Sequence, residues 1–404
     1  MKKKTLAVVT GTRAEYGLLR PVLRRLQASE TLATALLVTG AHLAEEYGLT
    51  VREIEADGLP IAARIPILEG ETGPLATAGA VCRTIDRFAR WFEENRPAAL
   101  LLLGDRYEIF AAAQAAALQR VPVVHISGGD VTLGAADEYY RHCITKIAHL
   151  HFPSCGEYAA RVIRMGEAPE TVYQLGGLGD ENLRTIPPMS RADLLASLGL
   201  ERWGEKPFGL VTFHPETAGD ADPMAQMQAL LAAMDREPTL NWLITKSNAD
   251  AGGAAINQMW DEWAAARPER AAAFTSLGVV RYVAALRCAA LVAGNSSSGV
   301  VETPTFGVPT LNIGDRQAGR IVCANVLCCP AEEAAITAAL NTAKSPAFIA
   351  RAKQTVSPYN GGDTSARMVR VLEQELARPG FGAPKAFYDG PVPADWHNPA
   401  EPVS

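Results

Sequence analysis

Short, unbroken apolar runs recur along this chain, and they restrict its fold more than any other feature. In the first half they lie at residues 6–10, 35–39, 61–67, 98–103, 121–126 and 172–175. A strand with one face in water alternates apolar and polar residues, whereas a strand covered on both faces need not. The runs therefore predict parallel strands buried between helices. The stretches between them carry the matching helical signal: Cys82, Ile85, Phe88, Ala89 and Phe92 fall on one face at helical spacing. This βαβα rhythm predicts a doubly wound parallel sheet.

The rhythm pauses at 185–191, where Pro187-Pro188 interrupts helix formation. It resumes with strands predicted at 208–213, 242–245, 291–293 and 310–313. A length of 404 residues suits two domains. The expected fold is α/β, with two Rossmann-like doubly wound domains over 1–184 and 195–360 facing a cleft. A helix over 361–378 is expected to return to the N-terminal domain, and the Pro- and Gly-rich stretch 379–404 to form an extended tail. Ligands of such sheets bind outside the carboxyl ends of the strands.

Composition removes several classes. A net charge of −6 argues against a general nucleic-acid binder. The seven Cys include no C-x-x-C pair, so neither a zinc ribbon nor a thioredoxin-type site is indicated. Reduced thiols in a reducing compartment are expected. The basic start Met1-Lys2-Lys3-Lys4 precedes an apolar run too short for a signal peptide. No stretch approaches the roughly 20 apolar residues of a membrane span. A cytoplasmic protein without a membrane partner is expected.

Polar clusters fall at the predicted strand ends. The first run leads into Gly11-Thr12-Arg13-Ala14-Glu15-Tyr16-Gly17, which lacks the dinucleotide fingerprint. Arg13 there is either a phosphate fork or a surface Arg on a turn. The fourth run ends in Gly104-Asp105-Arg106-Tyr107-Glu108, where Asp105 is a helix N-cap or a catalytic acid. The fifth leads into His125-Ile126-Ser127-Gly128-Gly129-Asp130, with Asp137, Glu138, Arg141 and His142 soon after. Arg141 stands four residues beyond Asp137, the spacing of a helical ion pair. Three carboxylate clusters at the strand ends of one sheet are harder to dismiss than any one alone.

In the second half, His214 leaves a strand within Phe213-His214-Pro215-Glu216-Thr217. The strongest local signal is Gly294-Asn295-Ser296-Ser297-Ser298-Gly299, between a strand and a helix. Hydroxyls and free N–H groups at a helix N-terminus form an anion site. Glu302, one turn on, can accept from a ribose or simply favour the helix dipole. Arg316 and Arg320 follow another strand and suit a diphosphate. Asp220-Ala221-Asp222 has the spacing of metal-dependent sugar transferases, but Asp222 before Pro223 reads better as an N-cap with Pro at the first helical position. His149-Leu150-His151 lacks a third ligand and reads as core or edge His. No metal and no cofactor are expected.

Together these motifs resemble the UDP-N-acetylglucosamine 2-epimerases, in the hydrolysing branch that begins sialic acid synthesis. The resemblance runs to about Arg370 and includes Ser247-Asn248-Ala249-Asp250 and Asn312-Ile313-Gly314-Asp315-Arg316-Gln317. It implies a fold of the glycosyltransferase-B type, a UDP-sugar substrate, neither metal nor NAD, and a homo-oligomer (dimer or tetramer). It implies that Arg13, His214, Ser296, Ser297 and Glu302 hold UDP, with Ser298, Gly299 and Arg316 in the same site and Asn248 near the nucleotide. Asp105 and Asp137 match catalytic carboxylates, Arg141 a residue beside the sugar, and His214 also stands among the catalytic candidates. One position departs: many relatives carry Glu, and others His, where this chain has Ser127. Ser is not an efficient base at neutral pH without activation, and Asp130 is a candidate substitute. The implied chemistry is elimination of UDP to a glycal, then hydration with inversion at C2 to N-acetylmannosamine. Four alternatives stay open: the same chemistry on a UDP-2,4-diacetamido-trideoxyhexose of the legionaminic acid pathway, a non-hydrolysing epimerase, a glycosyltransferase, and a non-catalytic UDP-sugar sensor.

Overall fold

The computed structural model describes residues 3–70, 73–132, 137–216, 222–247 and 253–393. These divide into two compact units, one drawn from 1–131, 135–182 and 358–404, the other centred on 183–357. In the first, strands β1 (Lys4–Thr10), β2 (Leu32–Thr39), β3 (Ile61–Ile65), β4 (Ala99–Leu103), β5 (Val123–Ile126) and β6 (Leu150–Phe152) form one sheet. Its order is β3-β2-β1-β4-β5-β6, and every pairing is parallel. In the second, β7 (Phe208–Thr212), β8 (Asn241–Thr245), β9 (Ala271–Phe274), β10 (Leu291–Gly294), β11 (Thr310–Ile313) and β12 (Val326–Cys329) run in the order β12-β11-β10-β7-β8-β9, again all parallel. Each chain of strands starts mid-sheet, moves outward, then returns to build the other side. The switch points lie between β1 and β4 and between β7 and β10, where a doubly wound sheet opens a crevice for ligands.

The unbroken apolar runs follow from burial on both faces. Along β1, Leu6 and Val8 pack with Leu19, Val22, Leu23 and Leu26 of the helix Arg13–Gln27, while Ala7 and Val9 pack with Phe88 and Phe92 of the helix Pro74–Asn95. Alternate residues therefore feed opposite cores, and neither face can be polar. Each such Leu or Phe contributes about 1.5–3 kcal/mol on burial. In the second unit Trp242, Trp260 and Phe213 anchor the core. Gly209 on β7 makes room for one of them: a Cβ there would lie 2.5 Å from Trp242 Cζ3.

Several sequence expectations shift. The run 172–175 is not a sheet strand; it makes one bridge, between His151 and Val172. The sixth strand is β6, only three residues long and containing a His. That His151 is fully buried, its Nε2 3.0 Å from Glu167 Oε2, as a core His should be. β9 and β12 also escaped the reading, because Ala-Ala-Ala-Phe and Val-Leu-Cys-Cys carry little strand signal. Strand starts at 99 and 123 fall one and two residues later than expected, the latter because Pro122 has no N–H to give the ladder.

The cap expected at Asp222 is present. Asp222 caps the helix Pro223–Asp235, accepting from Met224 N at 2.9 Å, with Pro223 in the first turn; Asp220 lies outside the described residues. The helix Thr364–Ala377 packs against Arg13–Gln27 and adds Met368 and Leu372 to the first unit's core. Residues 379–393 have no helix or strand and lie along the first unit, tied by Lys385 Nζ to Glu167 Oε2 at 2.5 Å and by Tyr388 N to the Gly166 carbonyl at 3.0 Å. Among the described residues no helix is long and apolar enough to cross a membrane.

Phe92 is fully buried beneath β1. Phe92→Ala should therefore lower unfolding stability by about 3–5 kcal/mol, the usual cost of an emptied aromatic site. Urea denaturation followed by circular dichroism measures it; a loss under about 1 kcal/mol would contradict this packing.

Candidate active site

At the first switch point the chain leaves β1 through Gly11. Thr12 then caps the helix Arg13–Gln27, its Oγ1 accepting from Glu15 N at 3.3 Å. Glu15 reaches back to accept from Gly11 N at 2.7 Å and Thr12 N at 3.2 Å. This reciprocal cap fixes the loop. The Arg13 side chain is 72% exposed and its Nε pairs with Glu53 at 3.1 Å, a surface contact worth at most about 1 kcal/mol.

β4 ends at Leu103, and Gly104 turns the chain with φ +87°. The next helix begins at Tyr107 with Arg106 at its N-cap, so Asp105 is not the cap. Its carboxylate instead accepts from Arg141 Nε at 2.8 Å and Nη2 at 2.5 Å. Arg141, on the helix Asp137–Ile147, also donates to Glu138 Oε2 at 2.6 Å and to the Asp130 carbonyl at 2.7 Å. One guanidinium, 3% exposed, thus joins the loops after β4 and β5 to the helix that follows. Asp137 opens that helix. Burial, and then the charge of Asp105, raise its pKa above the ordinary carboxylate value. The helical spacing suggested an Arg141–Asp137 pair; the hydrogen bonds run to Glu138 and Asp105.

The loop after β5 is held from below by His125. Its Nε2 donates to the Gly104 carbonyl at 3.0 Å, and its Nδ1 lies 3.2 Å from Thr145 Oγ1. A carbonyl can only accept, so Nε2 carries the proton, and burial pulls the imidazole pKa down to about 3. Ser127 takes the left-handed conformation at φ +68°, unusual for a side-chain-bearing residue. Its N–H donates to the Phe152 carbonyl at 3.0 Å. Gly129 follows at φ +84°, where a Cβ would lie 2.4 Å from the Tyr158 carbonyl oxygen. The backbone is therefore fixed through Asp130.

Sequence reading passed over one pair. Glu15 and Glu108 are both buried, and both approach Gly11; a Cβ on Gly11 would lie 3.0 Å from Glu108 Oε1 and 3.4 Å from Glu15 Oε2. Arg106 Nε donates to Glu108 Oε1 at 2.6 Å. Glu15 Oε1 and Glu108 Oε2 are buried without a hydrogen-bond partner among the described residues. Burial, reinforced by the charge on Glu108, pushes the Glu15 pKa up to about 8. The signal was present as a capping box, but the neighbouring carboxylate comes from 93 residues later in the numbering (Glu15 to Glu108).

The second switch point centres on Asn295. It accepts from His214 N at 2.7 Å through Oδ1 and donates to the His214 carbonyl at 2.8 Å through Nδ2. Its own carbonyl accepts from Arg316 Nη1 at 3.1 Å and Gln317 Nε2 at 2.9 Å. One buried amide residue therefore registers the loops after β7, β10 and β11. Gly294 before it, at φ +130°, admits no side chain, since a Cβ would lie 1.9 Å from the Thr212 carbonyl oxygen. Ser296 caps the short helix Ser297–Val301 without using its side chain. Ser297 is exposed, Gly299 is buried, and Ser298 Oγ donates to Glu302 Oε2 at 2.6 Å. His214 Nδ1 lies 3.1 Å from Ser247 Oγ. Asn248 lies outside the described residues, as do Thr217, Ala249 and Asp250. Among the described residues no group of three or more His, Cys, Asp or Glu could hold a metal.

The structure thus gathers Asp105, Asp130, Asp137 and Arg141 at one switch point. It gathers His214, Ser296, Ser297, Ser298, Gly299, Glu302 and Arg316 at the other. Two Rossmann-like, doubly wound units in one chain define a protein of the glycosyltransferase-B type. A family model described as UDP-N-acetylglucosamine 2-epimerase matches residues 24–373, and the chain belongs to that family. It is 34% identical over 327 residues to a protein of Campylobacter jejuni named GDP/UDP-N,N'-diacetylbacillosamine 2-epimerase (hydrolyzing), covering 81% of this chain and 84% of that one. It is also 34% identical over 391 residues to the polysialic acid biosynthesis protein P7 of Escherichia coli, covering 96% of this chain and 98% of that one. The crystal structure of UDP-GlcNAc 2-epimerase from Neisseria meningitidis bound to UDP-GlcNAc shares the fold, with a TM-score of 0.76 at 16% identity over 92% of this chain and all of that one.

The Glu15 carboxyl gives a pH prediction. Its pKa is raised from 4.5 to about 8 in the folded protein, so the folded state binds this proton more tightly than the unfolded chain. The associated stability is full below pH 4.5, declines as pH rises, and is gone above about 8. Glu15→Gln mimics the protonated form and can still accept from Gly11 N. Urea midpoints between pH 5 and 9 should fall less steeply for Glu15→Gln than for the wild type; parallel slopes would contradict the assignment.

Proposed function

We propose that this protein is a hydrolysing UDP-N-acetylglucosamine 2-epimerase, converting UDP-N-acetylglucosamine and water to N-acetylmannosamine and UDP. The observation that carries the reading is the carboxylate–guanidinium cluster of Asp105, Asp137 and Arg141 at the β1/β4 switch point. In this reading His214, Ser296, Ser297, Ser298, Gly299, Glu302 and Arg316 hold the UDP, and Arg13 and Asn248 serve the same ligand. N–H groups at the start of a helix and an Arg both favour a diphosphate, in the ground state and as it departs.

Asp105, Asp137, Asp130 and Arg141 act on the sugar. The C1–O bond breaks, its electron pair leaves with the UDP oxygen, and positive charge develops at C1. The fixed Asp105 carboxylate stabilises that charge. Loss of the C2 proton to a carboxylate gives the glycal. Water then delivers hydroxyl to C1 and a proton returns to C2 from the opposite face. Asp137, whose pKa is raised by burial and by Asp105, takes up a proton more readily than an ordinary carboxylate and suits the acid–base role. Ser127 offers no acid here, and Asp130, whose backbone is fixed by Arg141, takes that role.

A second reading is favoured by the name of the Campylobacter relative: the same chemistry on a UDP-2,4-diacetamido sugar. Incubation with each nucleotide sugar, with products identified by NMR, separates them. Free N-acetylmannosamine and UDP are expected from UDP-N-acetylglucosamine. Turnover of the diacetamido sugar alone supports the second reading; a product still attached to UDP overturns hydrolysis; binding without turnover overturns catalysis.

The carboxylate roles predict a kinetic pattern. Asp105→Asn, Asp137→Asn and Asp130→Asn should each fold, bind UDP nearly normally and lose about 100-fold or more in kcat, the scale of a lost acid–base or electrostatic group. Ser127→Ala should be mild. Steady-state kinetics beside UDP calorimetry checks this; near-normal kcat in Asp105→Asn and Asp137→Asn would overturn the assignment.

A further inference from the structure

Tyr282 lies on the helix Gly278–Cys288, which leads directly into β10. Its hydroxyl is hydrogen-bonded to Ser298 Oγ, and Ser298 Oγ donates to Glu302 Oε2 at 2.6 Å. A serine hydroxyl carries one hydrogen, and here the carboxylate takes it. Tyr282 is therefore the donor in the first bond, and the relay runs one way, Tyr282 to Ser298 to Glu302. Among the described residues only Oε2 of this carboxylate has a hydrogen-bond partner, and Oε1 is left for a ligand. Tyr282 lines a small cavity with Ser296, Gly299 and Asn312 at the carboxyl end of β10. Burial raises the pKa of both the phenol and the Glu302 carboxyl, so the phenol keeps its proton at neutral pH.

A Glu side chain with no anchor samples several rotamers, and a ligand must freeze one of them. Anchoring Oε2 through Ser298 freezes it in advance. Phenylalanine would fill the same space as Tyr282 but leave the Ser298 hydroxyl without its donor and free to rotate away from Glu302.

We propose that Tyr282 is a positioning residue which, through Ser298, holds Glu302 Oε1 to accept from the ribose 2′-hydroxyl of a bound nucleoside diphosphate, and so sets a preference for ribo- over 2′-deoxyribonucleotides. This rests on reading the Ser296–Glu302 loop as the nucleotide site.

Calorimetry of the wild type and Tyr282→Phe with UDP and with 2′-deoxy-UDP tests it. The wild type should bind UDP about tenfold more tightly than 2′-deoxy-UDP, the scale of one hydrogen bond to a charged group. Tyr282→Phe should weaken UDP by roughly five- to tenfold and 2′-deoxy-UDP by less than about twofold, so that the ratio collapses. Equal weakening of both ligands would show a packing role only and overturn the relay, as would an unchanged ratio. The near-normal affinity for 2′-deoxy-UDP is the internal proof that a variant is folded. If the wild type binds neither ligand, the nucleotide reading itself fails, and this inference with it.

Discussion

A guanidinium with 3% exposure must be neutralised where it sits, because an unpaired buried charge costs several kcal/mol. Arg141 meets that demand with Asp105, Glu138 and the Asp130 carbonyl. Those partners come from the loop after β4, the start of the helix Asp137–Ile147 and the loop that joins β5 to that helix. The charge requirement therefore sets the geometry of the whole acidic cluster. It also explains how two carboxylates can lie close together: Asp105 is held by Arg141, while Asp137, partly buried beside it, shifts towards its protonated form. Asn295 does the same work through its side-chain amide and its own carbonyl at the other switch point, where four hydrogen bonds register three loops.

Both hubs depend on the sheets. In a parallel sheet wound in this order, β1 and β4 end side by side, as do β7 and β10. Loops that are far apart in the chain are thereby delivered to one edge. Left-handed turns at Gly104, Gly129 and Gly294 then let the backbone close on its neighbours where a Cβ could not fit or would be strained.

How much of this could be read from the sequence follows from the range of each interaction. Strands buried on both faces announce themselves, so β1, β2, β4 and β7 were evident as apolar runs. β6 was not, since three residues with a central His give no pattern, and the apolar run at 172–175 fills the core while barely pairing. Asp222 was legible as a cap because Pro223 stands next to it. Asp105 was ambiguous: its partner Arg141 lies 36 residues away and meets it only once β5 is laid beside β4. The Glu15 carboxylate could be read as a cap but not as the neighbour of Glu108. Tyr282 reads locally as one more residue of a helix, and its bond to Ser298 appears only after β10 is threaded into the sheet.

The central claim is chemical: the acidic cluster breaks the C1–O bond and exchanges the proton at C2. Turnover of UDP-N-acetylglucosamine in deuterium oxide tests it most directly, with the released sugar and nucleotide examined by NMR and mass spectrometry. The account predicts deuterium at C2 of the released sugar and, in ¹⁸O-labelled water, UDP that contains no label. Protium retained at C2, or ¹⁸O in the released UDP, would contradict it.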